Sequence, residues 1–281
     1  MPRGQRHAAL SGSHVVTARP IRNTTASVRQ RLLNRARERG DDFQLLLTRH
    51  CIERLLYRLS RSEHADRFTL KGAMLFLLWQ GDTFRPTRDL DLLGRGDKSP
   101  SHMAEVFKAI CVAEVEDDGL EFDPSTVRAR EIREEQEYGG IRVEMTVRLG
   151  QARLQLQVDV GFGDALVPMP RKVDFPSLLG FPKARVSAYR RETVVAEKFQ
   201  TMVHLGIANS RMKDFYDLWT LANNFEFEGM QLCQALKATF KRRRTALPTK
   251  APIALTDEFY RDGPKQAQWS AFACRNSINS D

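Results

Sequence analysis

Apolar residues recur along this chain with two different periods, and the change of period divides it into regions. Residues 1–23 show no apolar period and read as a flexible arm. Thr24, Thr25 or Ser27 can cap a helix in which Val28, Leu32 and Ala36 share one face, Arg31 and Arg35 stand on another, and Gly40 ends the run after Arg39. Asp41 or Asp42 opens a second helix to about Leu59, where Phe43, Leu47, Cys51, Leu55 and Leu59 form a core-facing stripe. Residues 67–70 predict a short strand entering Lys71-Gly72-Ala73. Residues 74–79, apolar on every side, predict a buried helix that breaks at Gly81-Asp82. Residues 88–93 alternate as a strand does, and Ser99 or Ser101 caps a helix to about Val115.

Three strands follow, over residues 126–132, 141–149 and 153–160. Leu149-Gly150-Gln151-Ala152 joins the last two as a hairpin turn. Alternation places Leu154, Leu156, Val158 and Val160 on one face and Arg153, Gln155, Gln157 and Asp159 on the other. Asp159 therefore belongs to a polar face. Beyond about Ser187 the period is helical, with helices predicted over 191–205, 213–223 and 230–240 and a basic run from Lys241 to Arg244. The expected organisation is an arm (1–23), an α+β domain with N-terminal helices (24–187) and a helical C-terminal domain (188–281).

Composition narrows the class. Of 281 residues, 42% are hydrophobic and 28% charged, the balance of a globular protein. No apolar run approaches the roughly 20 residues of a membrane span, and the N-terminus lacks an apolar signal core, so a cytoplasmic protein is expected. The four cysteines are scattered without a CxxC, which argues against a disulfide framework and a structural zinc site. The net charge is +9, and residues 1–50 supply +7 of it through ten arginines against Glu38, Asp41 and Asp42. Such a stretch suits a phosphate-rich partner, and serves equally as a solubilising face.

Asp89 and Asp91 are the strongest chemical signal. Two aspartates at i and i+2 of a strand point the same way, and their anions repel unless a cation lies between them. A hard divalent ion, chiefly Mg²⁺, fills that place at phosphoryl-transfer sites; Arg85 and Arg88 can do so instead. Asp159, on a separate strand, can complete a two-metal site or be a solvated strand residue. Glycine at Lys71-Gly72 lets backbone approach a ligand, and the helix that follows favours phosphate at its N-terminus; a packing turn explains it as well. No GxxxxGK[ST] is present, and neither Gly94-Arg95-Gly96 nor Gly161-Phe162-Gly163 has a GxGxxG context, which excludes P-loop and dinucleotide-fold readings.

The order of these elements resembles the nucleotidyltransferase superfamily that includes DNA polymerase β. More narrowly, Leu70-Lys71-Gly72-Ala73-Met74-Leu75 followed by Thr87-Arg88-Asp89-Leu90-Asp91-Leu92 is similar to the AbiEii/AbiGii toxin family, to which the MenT toxins belong. Ala196-Glu197-Lys198-Phe199 and Lys213-Asp214-Phe215-Tyr216-Asp217-Leu218 match its two later motifs, so the resemblance spans about residues 65–225. Two features depart from it. Ala73 replaces the second small residue of the glycine turn, which removes any hydroxyl contact there, and the arginine-rich first 40 residues lie outside the match.

The resemblance implies an α+β fold, a polymerase β-like mixed sheet flanked by helices with a helical C-terminal domain. It implies a metal-dependent nucleotidyltransferase toxin of a toxin–antitoxin or abortive-infection pair. The reaction would carry a nucleotide from an NTP to RNA, at the tRNA 3′ acceptor end, releasing pyrophosphate and blocking translation. Asp89 and Asp91 would hold Mg²⁺ on the triphosphate, and Asp159 would bind a second ion and help activate the attacking hydroxyl. Lys198 would meet triphosphate oxygens beside Lys71, Gly72 and Ala73, and Asp214 would be a further essential carboxylate. Without the family, Lys198 reads as a snorkelling helix lysine. Lys213 and Asp217 read as an i, i+4 pair, which favours Asp214 over Asp217. Phe215, Tyr216, Leu218 and Trp219 read as core, and His64 and His204 carry no role. A cognate antitoxin and an RNA are the expected partners, with no membrane. Two alternatives stand beside this reading: a nucleotidyltransferase acting on a protein or small molecule, and a non-enzymatic RNA-binding protein.

Overall fold

The computed structural model describes residues 23–81, 85–132, 139–276 and 278; the arm up to residue 22 lies outside them. Helix α1 (Thr24–Arg39) is capped by Asn23, one position before the expected hydroxyl residues, its Oδ1 accepting from the Ala26 amide at 2.9 Å. Helix α2 (Phe43–Arg61) is capped by Asp42, which accepts from the Leu45 amide. Val28, Leu32 and Ala36 are buried, and Arg31 donates to the Leu179 carbonyl and lies over the Phe181 ring. α1 is therefore part of the folded body, not of the arm.

Seven strands form one mixed sheet in the order β3-β4-β5-β2-β1-β7-β6. They are β1 (Phe68–Lys71), β2 (Asp89–Gly94), β3 (Glu121–Ile132), β4 (Gly140–Leu149), β5 (Ala152–Phe162), β6 (Arg171–Phe175) and β7 (Ala184–Ala188). β2–β5 and β1–β7 run parallel, and the other pairs antiparallel. The hairpin between β4 and β5 turns at Gly150-Gln151, with Leu149 opposite Ala152. β3 begins five residues before the expected 126, because its register shifts between Asp123 and Arg128 and hides the alternation there. β6 and β7 were not expected. Each has five residues, too few to establish a period, and β6 exposes Arg171, Lys172 and Asp174.

The short helix α3 (Leu75–Gln80) follows β1, and α4 (Pro100–Cys111) covers β3 and β4 with Met103, Val106, Phe107 and Ile110. Val143, Met145, Leu156, Val158 and Val160 are buried on the strands beneath. After β7 the described residues are helical: α5 (Arg191–Leu205), α6 (Met212–Asn224), α7 (Gly229–Arg242), α8 (Asp257–Arg261) and α9 (Gly263–Arg275). Val194 of α5 and Leu221 of α6 join the core of the sheet, while Met202, Met212, Ala254 and Phe259 form a smaller cluster among the helices. Phe215 and Leu218 pack on that cluster. Trp219 departs from the expected core: it stacks on Tyr216 at 6.0 Å and remains 60% exposed.

Candidate active site

Strand register assembles the site. Lys71 at the end of β1 stands opposite Asp91 on β2, Asp91 opposite Asp159 on β5, and Asp159 opposite Arg142 on β4. One rung thus carries a cation, two anions and a cation on strands spaced roughly 5 Å apart. Asp89, two residues before Asp91, faces the same way. Gly72 follows with φ +72°, and a Cβ added there would lie 2.0 Å from Asp91 Oδ2. The turn needs glycine twice over, for its backbone angle and for the closeness of the carboxylate.

The charges of the rung are unequally balanced. Burial lifts the Asp91 carboxyl to about 6, aided by Asp159 and Asp89 and opposed by Lys71 and Lys213. Asp159 is clamped by Arg142, whose Nε and terminal nitrogen donate to its two oxygens at 2.8 Å each. Lys71 turns to Asp164 at 2.5 Å and lies 3.7 Å from Glu197; the Tyr189 hydroxyl donates to Asp164 at 2.9 Å. Arg243 approaches both carboxylates at 3.8 Å. Burial raises the Glu197 carboxyl, while Lys71 overcomes burial to hold Asp164 below the usual range.

A second charge cluster comes from α5 and α6. Lys198 lies 2.5 Å from Asp214 and 2.7 Å from Asp217. Arg211 donates to Asp214 at 2.8 Å, and Arg85 binds both oxygens of Asp217 at 2.8 and 2.9 Å. Lys198 and Arg211 hold the Asp214 carboxyl low against burial. Asp217 does not pair with Lys213. Its side chain is fully buried, and Lys213 is exposed at the cavity.

The two clusters meet across a cavity of about 620 Å³. Every residue singled out for chemistry lines it: Lys71, Gly72, Ala73, Asp89, Asp91, Asp159, Lys198 and Asp214. Arg142, Glu197, Arg211 and Arg243 line it too and were not expected to act there, and Arg85, expected as a neutraliser of Asp89 and Asp91, lines it while bound to Asp217. Asp217, Asp164 and Tyr189 support it from behind. For Asp217 and Arg142 a signal existed. Asp217 lies three residues from Asp214 on the same helix face, and the hairpin turn alone places Arg142 opposite Asp159. Arg85 binds Asp217, 132 positions away, rather than the aspartates beside it, and Arg243 comes from the basic run after α7, whose pattern shows charge but not its destination.

Asp89 and Asp91 offer adjacent oxygen donors on one side of β2, and Asp91 is raised chiefly by its burial, with Asp159 and Asp89 adding to it. The donor pair fits a hard ion bound by one or two carboxylates and completed by water or phosphate. Asp159 accepts from Arg142 on both oxygens, so a second ion there would share the carboxylate with that guanidinium. Among the described residues no three His, Cys, Asp or Glu side chains are placed to hold a metal.

A family profile described as "Nucleotidyl transferase AbiEii toxin, Type IV TA system" matches residues 54–277, well over half the chain. The chain belongs to the AbiEii nucleotidyltransferase toxin family. It is thereby a nucleotidyltransferase and the toxin member of a toxin–antitoxin system, with a cognate antitoxin. The AbiEii match extends on both sides of residues 65–225, from which the likeness is legible by motif. Among solved structures, a proposed nucleotidyltransferase from H. pylori aligns with 84% of this chain and 97% of its own, at 12% identity and a TM-score of 0.44. JHP933 from Helicobacter pylori aligns with 84% of this chain and 94% of its own, also at 12% identity and 0.44. No curated protein matches the sequence. Among the described residues no helix of this AbiEii chain is long and apolar enough to cross a membrane.

Proposed function

We propose that this AbiEii chain transfers a nucleotide from an NTP to the 3′ acceptor end of tRNA, in a metal-dependent reaction that releases pyrophosphate and blocks translation. The observation that carries this reading is the rung of Lys71, Asp91, Asp159 and Arg142, with Asp89 beside it, facing a cavity that Lys198 also lines. An Mg²⁺ held by Asp89 and Asp91 would supply charge neutralisation on the triphosphate. The protein's own part is positioning. Gly72 brings backbone against Asp91, Arg142 fixes Asp159 beside it, and Lys198, Lys213 and Arg211 present positive charge on the opposite wall. Phosphoryl-group transfer between bound partners depends chiefly on such placement and charge, which agrees with a site built from carboxylates and cations.

The test is to incubate the protein with total RNA, Mg²⁺ and each labelled NTP in turn. Label in the tRNA band, lost in Asp89→Asn and on chelation, is the expected result. Label in protein or a small molecule would move the acceptor to the alternative class, and no label in any fraction would remove the reading.

A further inference from the structure

The catalytic rung has neighbours on its own face of the sheet. One step along, Asp89 stands opposite Gln157, Gln157 opposite Glu144, and Glu144 opposite Arg128. Further along β5, Gln155 and Arg153 come to the same face. These residues line a second cavity, of about 1040 Å³, which shares Arg88 and Asp89 with the first. The groove is thus continuous with the site, and the other face of its strands is buried core.

Two arginines here differ from the others on these strands. Arg130, Arg142 and Arg148 are matched with Glu144, Asp159 and Asp123 at 3.4, 2.8 and 3.2 Å. Arg128 instead donates to the carbonyls of Ser125 and Val127 at 2.9 Å, and Arg153 reaches the Thr146 hydroxyl at 3.4 Å. Neither forms a salt bridge among the described residues, and both are exposed. Asp123, which feels the charge of Arg153, is already bound to Arg148. An arginine held by neutral partners keeps its charge and forked donors for an outside anion. Gln155 and Gln157 add neutral donors and acceptors between the arginines and the carboxylates.

We propose that this groove is the track of the single-stranded 3′ end of the acceptor RNA. Arg128 and Arg153 hold its phosphates, the glutamines meet sugar hydroxyls and base edges, and the terminal hydroxyl arrives at Asp89 and Asp91. The proposal rests on the RNA-acceptor reading above. The path along β5 from Arg153 to Asp159 is about 20 Å, at roughly 3.3 Å per residue, room for several phosphates. An unpaired end suits it because its base edges are open, whereas those in the deep groove of an RNA duplex are not. Phosphate contacts set position rather than sequence, so the two arginines place the end and any choice of bases falls to the glutamines.

The test compares the parent chain with Arg128→Ala/Arg153→Ala and Arg128→Lys/Arg153→Lys. Binding of an unpaired RNA oligonucleotide is titrated across salt concentrations, and NTP binding is measured separately. The alanine variant is expected to lose about tenfold or more in RNA affinity. Its log-affinity slope against log salt should be shallower by about 1.4, at about 0.7 per lost contact for single strands. The lysine variant should recover most of the slope, and NTP binding should stay unchanged. Parent-like affinity and slope in the alanine variant would overturn the groove while leaving the RNA acceptor intact. A parent chain that binds no RNA would instead overturn the acceptor reading, and the groove with it. Equal competition by a blunt RNA duplex would overturn the single-stranded occupant.

Discussion

Asp91 keeps its proton to about pH 6 in the fold, against an ordinary value of 3.8. The folded chain therefore binds that proton more tightly than the unfolded one. Its stabilising contribution is complete below about pH 4 and is lost as pH rises to about 6. Asp91→Asn carries no charge to titrate. In metal-free buffer its melting temperature should gain on the parent between pH 4 and 6 and hold the gain above; melts over that range check this, and a pH-independent difference would refute it. The same variant and Asp89→Asn should lose transfer by more than the roughly 10–100-fold typical of a supporting partner. Lys198 presents a different balance, since it separates Asp214 and Asp217, both nearly inaccessible to solvent. Lys198→Ala leaves two buried carboxylates short of a cation and should destabilise the fold by about 3–5 kcal/mol as well as weaken NTP binding. Stability alone cannot then identify a snorkelling lysine. Lys198→Arg should keep the stability and lose transfer; a variant that melts like the parent but fails in NTP binding would fit, and one that unfolds would not.

At the scale of elements, the turn from β1 to α3 couples backbone shape to chemistry. Gly72 has φ +72° and no room for a Cβ, whereas Gly40 at the end of α1 has φ +71° with nothing within 4 Å. Gly40→Ala should lose about 1–2 kcal/mol from the left-handed backbone alone and leave transfer intact. Gly72→Ala should lose at least as much stability and also displace Asp91, abolishing transfer. Paired melting and transfer assays on the two variants separate backbone strain from site geometry; equal transfer in both would remove Gly72 from the site. The β4–β5 hairpin shows how much an element reveals by itself. Its two-residue turn sets Leu149 against Ala152, and the same register carries Arg142 to Asp159. The helix motif Lys213–Leu218 misled in one respect, because i, i+4 spacing suggested a Lys213–Asp217 pair. Asp217 pairs instead with Arg85, 132 positions away, and with Lys198.

Over the whole molecule, the excess positive charge sits in two places of different kind. Part lies in the arm before residue 22, and part lines the cavity and groove on one face of the sheet. Deleting residues 1–22 should flatten the salt dependence of RNA binding if the arm tracks phosphates, with unchanged melting and NTP binding. Deleting residues 1–40 should unfold the chain or lower its melting temperature strongly, because Val28, Leu32 and Ala36 leave the core with α1. Salt titrations and melts of both truncations check this. Equal salt slopes for the parent and the 23–281 chain would make the arm a solvated tail.

The amino-acid sequence by itself determined the faces of β2 and β5, the cap of α2, the glycine turn and the motifs of an AbiEii nucleotidyltransferase. These are local properties, set by alternation along a strand, periodicity around a helix and the few residues a turn permits. Only the tertiary structure decided that β2 lies between β1 and β5, which turns scattered Lys71, Asp91 and Asp159 into one rung. Only it decided that Lys198 is shared by Asp214 and Asp217, and that Arg243 turns inward from a basic run. Strand order and long-range ion pairs arise from which apolar faces bury together, and that choice is made by the whole chain at once rather than by any stretch of it.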